Sequence, residues 1–167
     1  MKNSKVQSTG LYPDIDNNGD LCKSNIKDCD IIIVSTLYHK EIVRSMMYSF
    51  ISTINRSTKV SIGFVESPGS FELPITIQII AEKYKPKLFL AVGCIIKGET
   101  NHDSYLSSSV TEGLMNLSLK FSTPILNGVL TTNTLQQAID RAGKNLDKGK
   151  DLAEAAIEML AFTSNFK

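Results

Sequence analysis

KLFLAVGCIIKGETNH, residues 87–102, begins as an apolar run and changes character within two residues of Ile96. The run shows no polar alternation, so both of its faces have to be covered, which marks a strand inside a parallel sheet. It empties into Lys97, Gly98 and Thr100, and helical spacing then runs from about His102 to Lys120. The same unit recurs on either side. Upstream, the β-branched run Asp30 to Ser35 precedes Ile42, Val43, Met46, Met47, Phe50 and Ile51, spaced for a helix within residues 39–57. Val60 to Val65 reads as the next strand, and helical residues follow Pro68-Gly69-Ser70 from Phe71 to about Tyr84. Downstream, Pro124 to Leu130 reads as the last strand. Asn133 and Lys148-Gly149 open two final helices, the first ending at Arg141-Ala142-Gly143. Strands alternating with helices in this way predict right-handed crossovers and an α/β fold, a three-layer α/β/α sandwich around a four-stranded parallel sheet.

Residues 1–28 are rich in Asn, Asp, Ser, Lys and Gly and read as an irregular arm, with Val6 to Leu11 as a candidate edge strand. Residues 29–167 read as a single α/β domain. The composition, 42% hydrophobic and 21% charged, is that of a globular protein. A formal net charge of +1 gives no global field to recruit nucleic acid or an anionic membrane. The first thirty residues lack the apolar core of a secretory leader, and runs such as Ile31 to Val34 are far too short to span a bilayer. Cys22, Cys29 and Cys94 are odd in number and lack CxxC spacing. They read as reduced thiols of a cytoplasmic protein rather than as a disulfide framework or zinc site.

In an open parallel sheet, ligands sit beyond the carboxyl ends of the strands. The segments there are Thr36 to His39, Glu66 to Ser70, Lys97 to His102, and Thr131 to Asn133, and they should gather along one edge. Gly98 permits close backbone approach, and the start of the following helix offers unpaired N–H groups to an anion. Thr100 or Asn101 would either cap that helix or help to hold the anion. Imidazole takes and gives protons near neutral pH, so His102 is the candidate acid–base group, against the plainer reading of a capped turn with a surface histidine. Arg141 either complements a helix carboxyl end or grips phosphate, and Lys148 would assist. Pro68 and Pro74 frame a turn in which Ser70, Phe71 and Glu72 can present backbone N–H groups. Tyr38 sits where its ring can stack on a flat heterocycle, and His39 reads as a helix-start residue. No HExxH, Walker loop, GxGxxG, GxSxG or CxxC is present, so neither metal nor nicotinamide chemistry is indicated.

Four segments, in order and spacing, resemble the lumazine synthase family. They are Pro68 to Pro74, Gly93 to His102, Gly128 to Asn133 with Gln137 to Gly143, and Lys148-Gly149 with Ala155 to Met159. The likeness runs from about Ile31 to Met159 and implies a flavodoxin-like sheet. It implies a reaction joining 5-amino-6-(D-ribitylamino)uracil to 3,4-dihydroxy-2-butanone 4-phosphate, giving 6,7-dimethyl-8-ribityllumazine, phosphate and water, with no metal or organic cofactor. By the same resemblance Tyr38 stacks on the pyrimidine ring. Ser70, Phe71 and Glu72 bind ring and ribityl chain largely through backbone, and Cys94, Ile95 and Ile96 hold the uracil edge. Glu99 and Thr100 form the phosphate-side turn, Arg141 pairs with phosphate, and His102 transfers protons. The chain departs from the family pattern in three places. Asn127 stands where many members place a large apolar or aromatic residue that covers the substrate ring from a neighbouring subunit. Tyr38 replaces the more usual Phe or Trp, and Ser104 stands where an acid two residues after the histidine is more frequent. The resemblance further implies a homopentamer with active sites between subunits, which in some members closes into a 60-subunit shell. A flavin-binding module without turnover would explain the sheet but not His102. A shell protein without activity would not need both His102 and Arg141. A response-regulator receiver fails for want of its acidic residues, because Ser35-Thr36 and Ile96-Lys97 stand in their place.

Overall fold

The computed structural model describes residues 26–144 and 146–166, so Val6 to Leu11, Cys22 and most of the N-terminal arm lie outside the described residues. The elements alternate as β1 (Ile31–Thr36), α1 (Lys40–Ser57), β2 (Ile62–Ser67), α2 (Leu73–Lys83), β3 (Leu88–Ile96), α3 (His102–Phe121), β4 (Ile125–Thr132), α4 (Leu135–Ile139) and α5 (Lys148–Ser164). The strands form one sheet in the order β2-β1-β3-β4, and every pair is parallel. The fold class expected from the sequence is therefore the one observed.

Alternation along β1 divides the core. Ile31 and Ile33 face α1 and α5, packing with Met46, Phe50, Ala153 and Ala156. Ile32 and Val34 face α2 and α3, packing with Leu73, Ile77, Val110 and Leu114. These four apolar side chains of β1 are fully buried, and each contributes roughly 1.5–3 kcal/mol relative to exposure. The chain travels outward to β2 with α1 on one face. It returns to β3 and β4 with α2 and α3 on the other, as a constant crossover hand requires.

Asp30 clamps the amino ends of the strands. Its Oδ1 pairs with Lys87 Nζ at 2.8 Å, and its Oδ2 accepts from Ser61 N at 2.9 Å and Ser61 Oγ at 3.0 Å. Partial burial alone would raise this carboxyl, but the Lys87 and Ser61 hydrogen bonds and the Lys87 charge outweigh it and hold it below the ordinary value.

The element ends differ from the sequence reading in three informative places. Helix α2 starts at Leu73 rather than Phe71, because Pro74 fixes the first turn and residues 68–72 are used in a bend. Strand β4 extends to Thr132, where Ile96 opposes it and Lys97 N donates to its carbonyl at 2.8 Å. The helix expected from Asn133 to Gly143 is cut short. It is α4 followed by a wide turn, Asp140–Lys144, broken where Gly143 takes φ 129°. That conformation is open to glycine and strained for other residues.

Candidate active site

The strand order reverses between β1 and β3, and a cleft of about 560 Å³ opens at the carboxyl ends there. Three connections build it. From the β1–α1 turn come Tyr38 and His39, from the bend after β2 come Gly69, Ser70, Phe71 and Glu72, and from the end of β3 come Cys94, Ile95 and Ile96. The last wall runs from Gly98 and Thr100 into the first turns of α3 at His102, Asp103 and Leu106.

Glycines set the close approaches. A methyl group at Gly93 would lie 2.9 Å from Ser70 Oγ and 3.3 Å from Thr36 Cγ2, so its absence lets the bend after β2 settle on β3. A methyl at Gly69 would lie 2.9 Å from Glu72 Oε2 and 3.6 Å from the Tyr38 ring. Ser70 is consequently buried, while Tyr38 and Phe71 remain 67% and 65% exposed. These two rings are large apolar surfaces beside a cleft, available to a flat ligand or a second chain.

The cleft floor is chemically quiet. Burial pushes the Cys94 thiol up to about 11, so it is protonated at neutral pH and serves as apolar wall rather than nucleophile. Polar groups cluster instead at the start of α3. His102 is the first residue of that helix and exposed, and its N–H donates to Thr100 Oγ1 at 3.4 Å. Thr100 thus takes the turn hydrogen bond, and Asn101 at the cap position makes no side-chain cap. Asp103 Oδ1 is buried and has no hydrogen-bond partner among the described residues, an unmet acceptor beside the histidine.

Three of the candidate residues lie elsewhere. Glu99 is exposed in the same loop but is not part of the cleft wall. Asn127, exposed on β4, accepts from Val129 N through Oδ1 at 3.0 Å and donates from Nδ2 to Thr111 Oγ1 at 3.4 Å. It lines a separate hollow of about 330 Å³ with Lys148, Asp151 and Met46. Arg141, half-buried, donates from Nη1 to Gln137 O at 3.1 Å on the wide turn after α4. Helix α4 is itself fixed at its start, where Thr134 Oγ1 accepts from Gln137 N at 3.2 Å and Gln137 Oε1 accepts from Asn133 N at 2.9 Å. One chain therefore gathers aromatic and imidazole groups on its cleft and leaves Arg141 and Lys148 outside that wall.

The cleft also contains residues that periodicity did not single out. His39 lines it at the start of α1 in the left-handed conformation, φ 51° and ψ 47°, which costs roughly 1–2 kcal/mol for a residue with a Cβ. A strained residue at a cleft is a recurrent feature of functional sites. Leu106 is one helical turn beyond His102, and that spacing was the available signal for it. Among the described residues, no group of three or more His, Cys, Asp or Glu side chains converges as a metal site, and no helix is long and apolar enough to cross a membrane.

Residues 28–164 match the sequence profile of the family described as 6,7-dimethyl-8-ribityllumazine synthase. A protein of that name from Buchnera aphidicola subsp. Schizaphis graminum is 32% identical over 147 residues, covering 86% of this chain and 92% of the relative. Another of that name, from Buchnera aphidicola subsp. Baizongia pistaciae, is 35% identical over 135 residues, covering 78% of this chain and 85% of the relative.

Proposed function

Because the chain belongs to the 6,7-dimethyl-8-ribityllumazine synthase family of riboflavin biosynthesis, a family of transferases, we propose that it condenses 5-amino-6-(D-ribitylamino)uracil with 3,4-dihydroxy-2-butanone 4-phosphate and releases phosphate. The observation that carries this reading is the convergence of Tyr38, Ser70 to Glu72, Cys94 to Ile96 and His102 on one cleft at the switch point of the sheet. The exposed Tyr38 ring suits stacking on the pyrimidine. Backbone of the buried bend at Ser70 suits the polar edge and ribityl chain.

In this reading the 5-amino group attacks the ketone and loses water to form an imine. Phosphate departs as an enol forms, the enol is protonated at carbon to a methyl ketone, and attack of the ribitylamino nitrogen on that ketone closes the second ring with loss of a further water. Each step moves protons, and His102 at the head of α3 is the group to carry them, a contribution of about 10²–10⁴-fold. Arg141, with Lys148 and the turn at Glu99 and Thr100, stabilises charge on the departing phosphate. Holding the two substrates in register supplies much of the remaining acceleration.

Arg141 and Asn127 lie outside the cleft wall of their own chain, which supports a site completed by a neighbouring copy. We assign the chain to a homopentamer with its active sites between adjacent subunits, working in the cytoplasm. Asn127 then presents an amide, rather than an aromatic face, to the substrate ring. Purified chain mixed with both substrates should form product, read by lumazine absorbance and fluorescence. His102→Ala should lower kcat by about 10²-fold without abolishing it. A folded oligomer yielding no product above the spontaneous background would sink the assignment.

A further inference from the structure

We propose that Ser45 and Ser49 are positioning residues that hold the phosphate-side segment, from Arg141 to Lys148, in register against helix α1. The proposal rests on the reading above that Arg141 grips phosphate. The two serines are four residues apart, so they share one face of α1. A serine inside a helix usually bonds to its own preceding turn or to water. Here both reach across to a different part of the chain. Ser45 Oγ donates to the carbonyl of Ala142, the residue immediately following Arg141. Ser49 Oγ donates to Asp147 Oδ2 at 2.7 Å, while Asp147 Oδ1 accepts from Lys150 N at 3.1 Å and caps α5.

Two glycines complete the seat. A methyl at Gly149 would lie 2.3 Å from the carbonyl oxygen of Met46, which stands between the two serines on α1. At Gly143, with its φ of 129°, a Cβ would lie 3.2 Å from Ser45 Oγ. The connection from α4 to α5 is thus pinned near both ends by one helix face. Arg141 is held from the other side by its own hydrogen bond to Gln137 O. The serines are not core residues: Ser45 is exposed and Ser49 half-buried, whereas α1 is anchored by buried Met46, Met47 and Phe50. Their hydroxyls therefore bear on where the guanidinium sits more than on whether the helix folds.

The test is steady-state kinetics of the full chain as Ser45→Ala, Ser49→Ala and Ser45→Thr variants, with Arg141→Lys as reference. Each substrate is varied in turn, and inorganic phosphate serves as competitive inhibitor. Each alanine variant should raise KM for the phosphate-bearing substrate and Ki for inorganic phosphate about fivefold, the worth of one ordinary hydrogen bond. KM for the aminouracil substrate should stay unchanged, Tm should fall by no more than about 2–4 °C, and Ser45→Thr should keep the parent's phosphate constants. Unchanged phosphate constants in the serine variants, with Arg141→Lys shifting them, would overturn the positioning role. So would a joint rise in both KM values accompanied by a larger fall in Tm, the signature of a structural role. An Arg141→Lys enzyme with unaltered phosphate constants would instead overturn the reading of Arg141, and the proposal with it.

Discussion

Replacing Gly149 by alanine sets two known effects against each other. In an open helix the change is favourable by about 1 kcal/mol, because glycine carries more backbone entropy in the unfolded chain. Here the added methyl would lie 2.3 Å from Met46 O, 2.9 Å from Ser49 Cβ and 3.0 Å from Met46 C. Carbon approaches a carbonyl oxygen comfortably only to about 3.3 Å, so the contact is short by about 1 Å. The opposing atoms belong to the main chain of α1 and cannot rotate away. The two helices must separate along the face where Met46 and Phe50 meet Ala153 and Ala156, and a gap of about 1 Å forfeits up to half of each dispersion contact across it. Overpacking of this kind costs about 1–3 kcal/mol, and the rigid partner places Gly149→Ala at the upper end. After the propensity gain, the net loss is about 2 kcal/mol, or roughly 4–8 °C in Tm for a chain of this size. Thermal melts at one fixed protomer concentration would measure it, since assembly alone shifts Tm. Lys150→Ala, at the exposed next position, is the reference and should melt within a degree or so of the parent. If Gly149→Ala melts at or above the parent temperature, helix propensity has won and the close approach of α1 to α5 does not require glycine there.

Two further outcomes follow from named contacts. Gly93→Ala meets a side-chain hydroxyl, Ser70 Oγ, rather than main chain, so the group can turn aside. The fold should lose only about 1 kcal/mol, while displacement of Ser70 raises KM for the aminouracil substrate severalfold; an unchanged KM would refute a role for the Ser70 bend in binding. For Asp30, the folded-state pKa is depressed, so its stabilisation is complete above the ordinary carboxylate value and is lost as pH falls through the lower folded value. Asp30→Asn should therefore cost about 1 kcal/mol in urea unfolding at pH 7, with the gap closing below about pH 4. A gap that persists undiminished to pH 2 would mean the charge on Asp30 contributes nothing.

The cleft was legible because its parts sit at sequence-marked positions. Tyr38, Ser70 and His102 each follow a recognisable strand and Ile96 ends one, and parallel strands send all such positions to one edge. What remained hidden has no periodic signature. His39 enters the cleft through a left-handed φ that a histidine beside a helix start does not announce. Asn133 to Gly143 carries good helical spacing, yet the wide turn at Asp140–Lys144 interrupts it where the chain must seat on α1.

Local pattern reports which residues are buried and with what period, because burial on one face or two is a property of neighbours in the chain. On that ground the amino-acid sequence determined the elements, the parallel sheet and the identity of the groups available for chemistry. It also carried the segments by which the family is known. Distances between residues far apart in the chain leave no such trace. The reach of Ser45 to Ala142, the fit of Gly149 on Met46 and the separation of Arg141 from the cleft depend on how α1 and α5 cross one face of the sheet. Only the tertiary structure decided those, since crossing geometry is set by the summed fit of many side chains and not by any one segment.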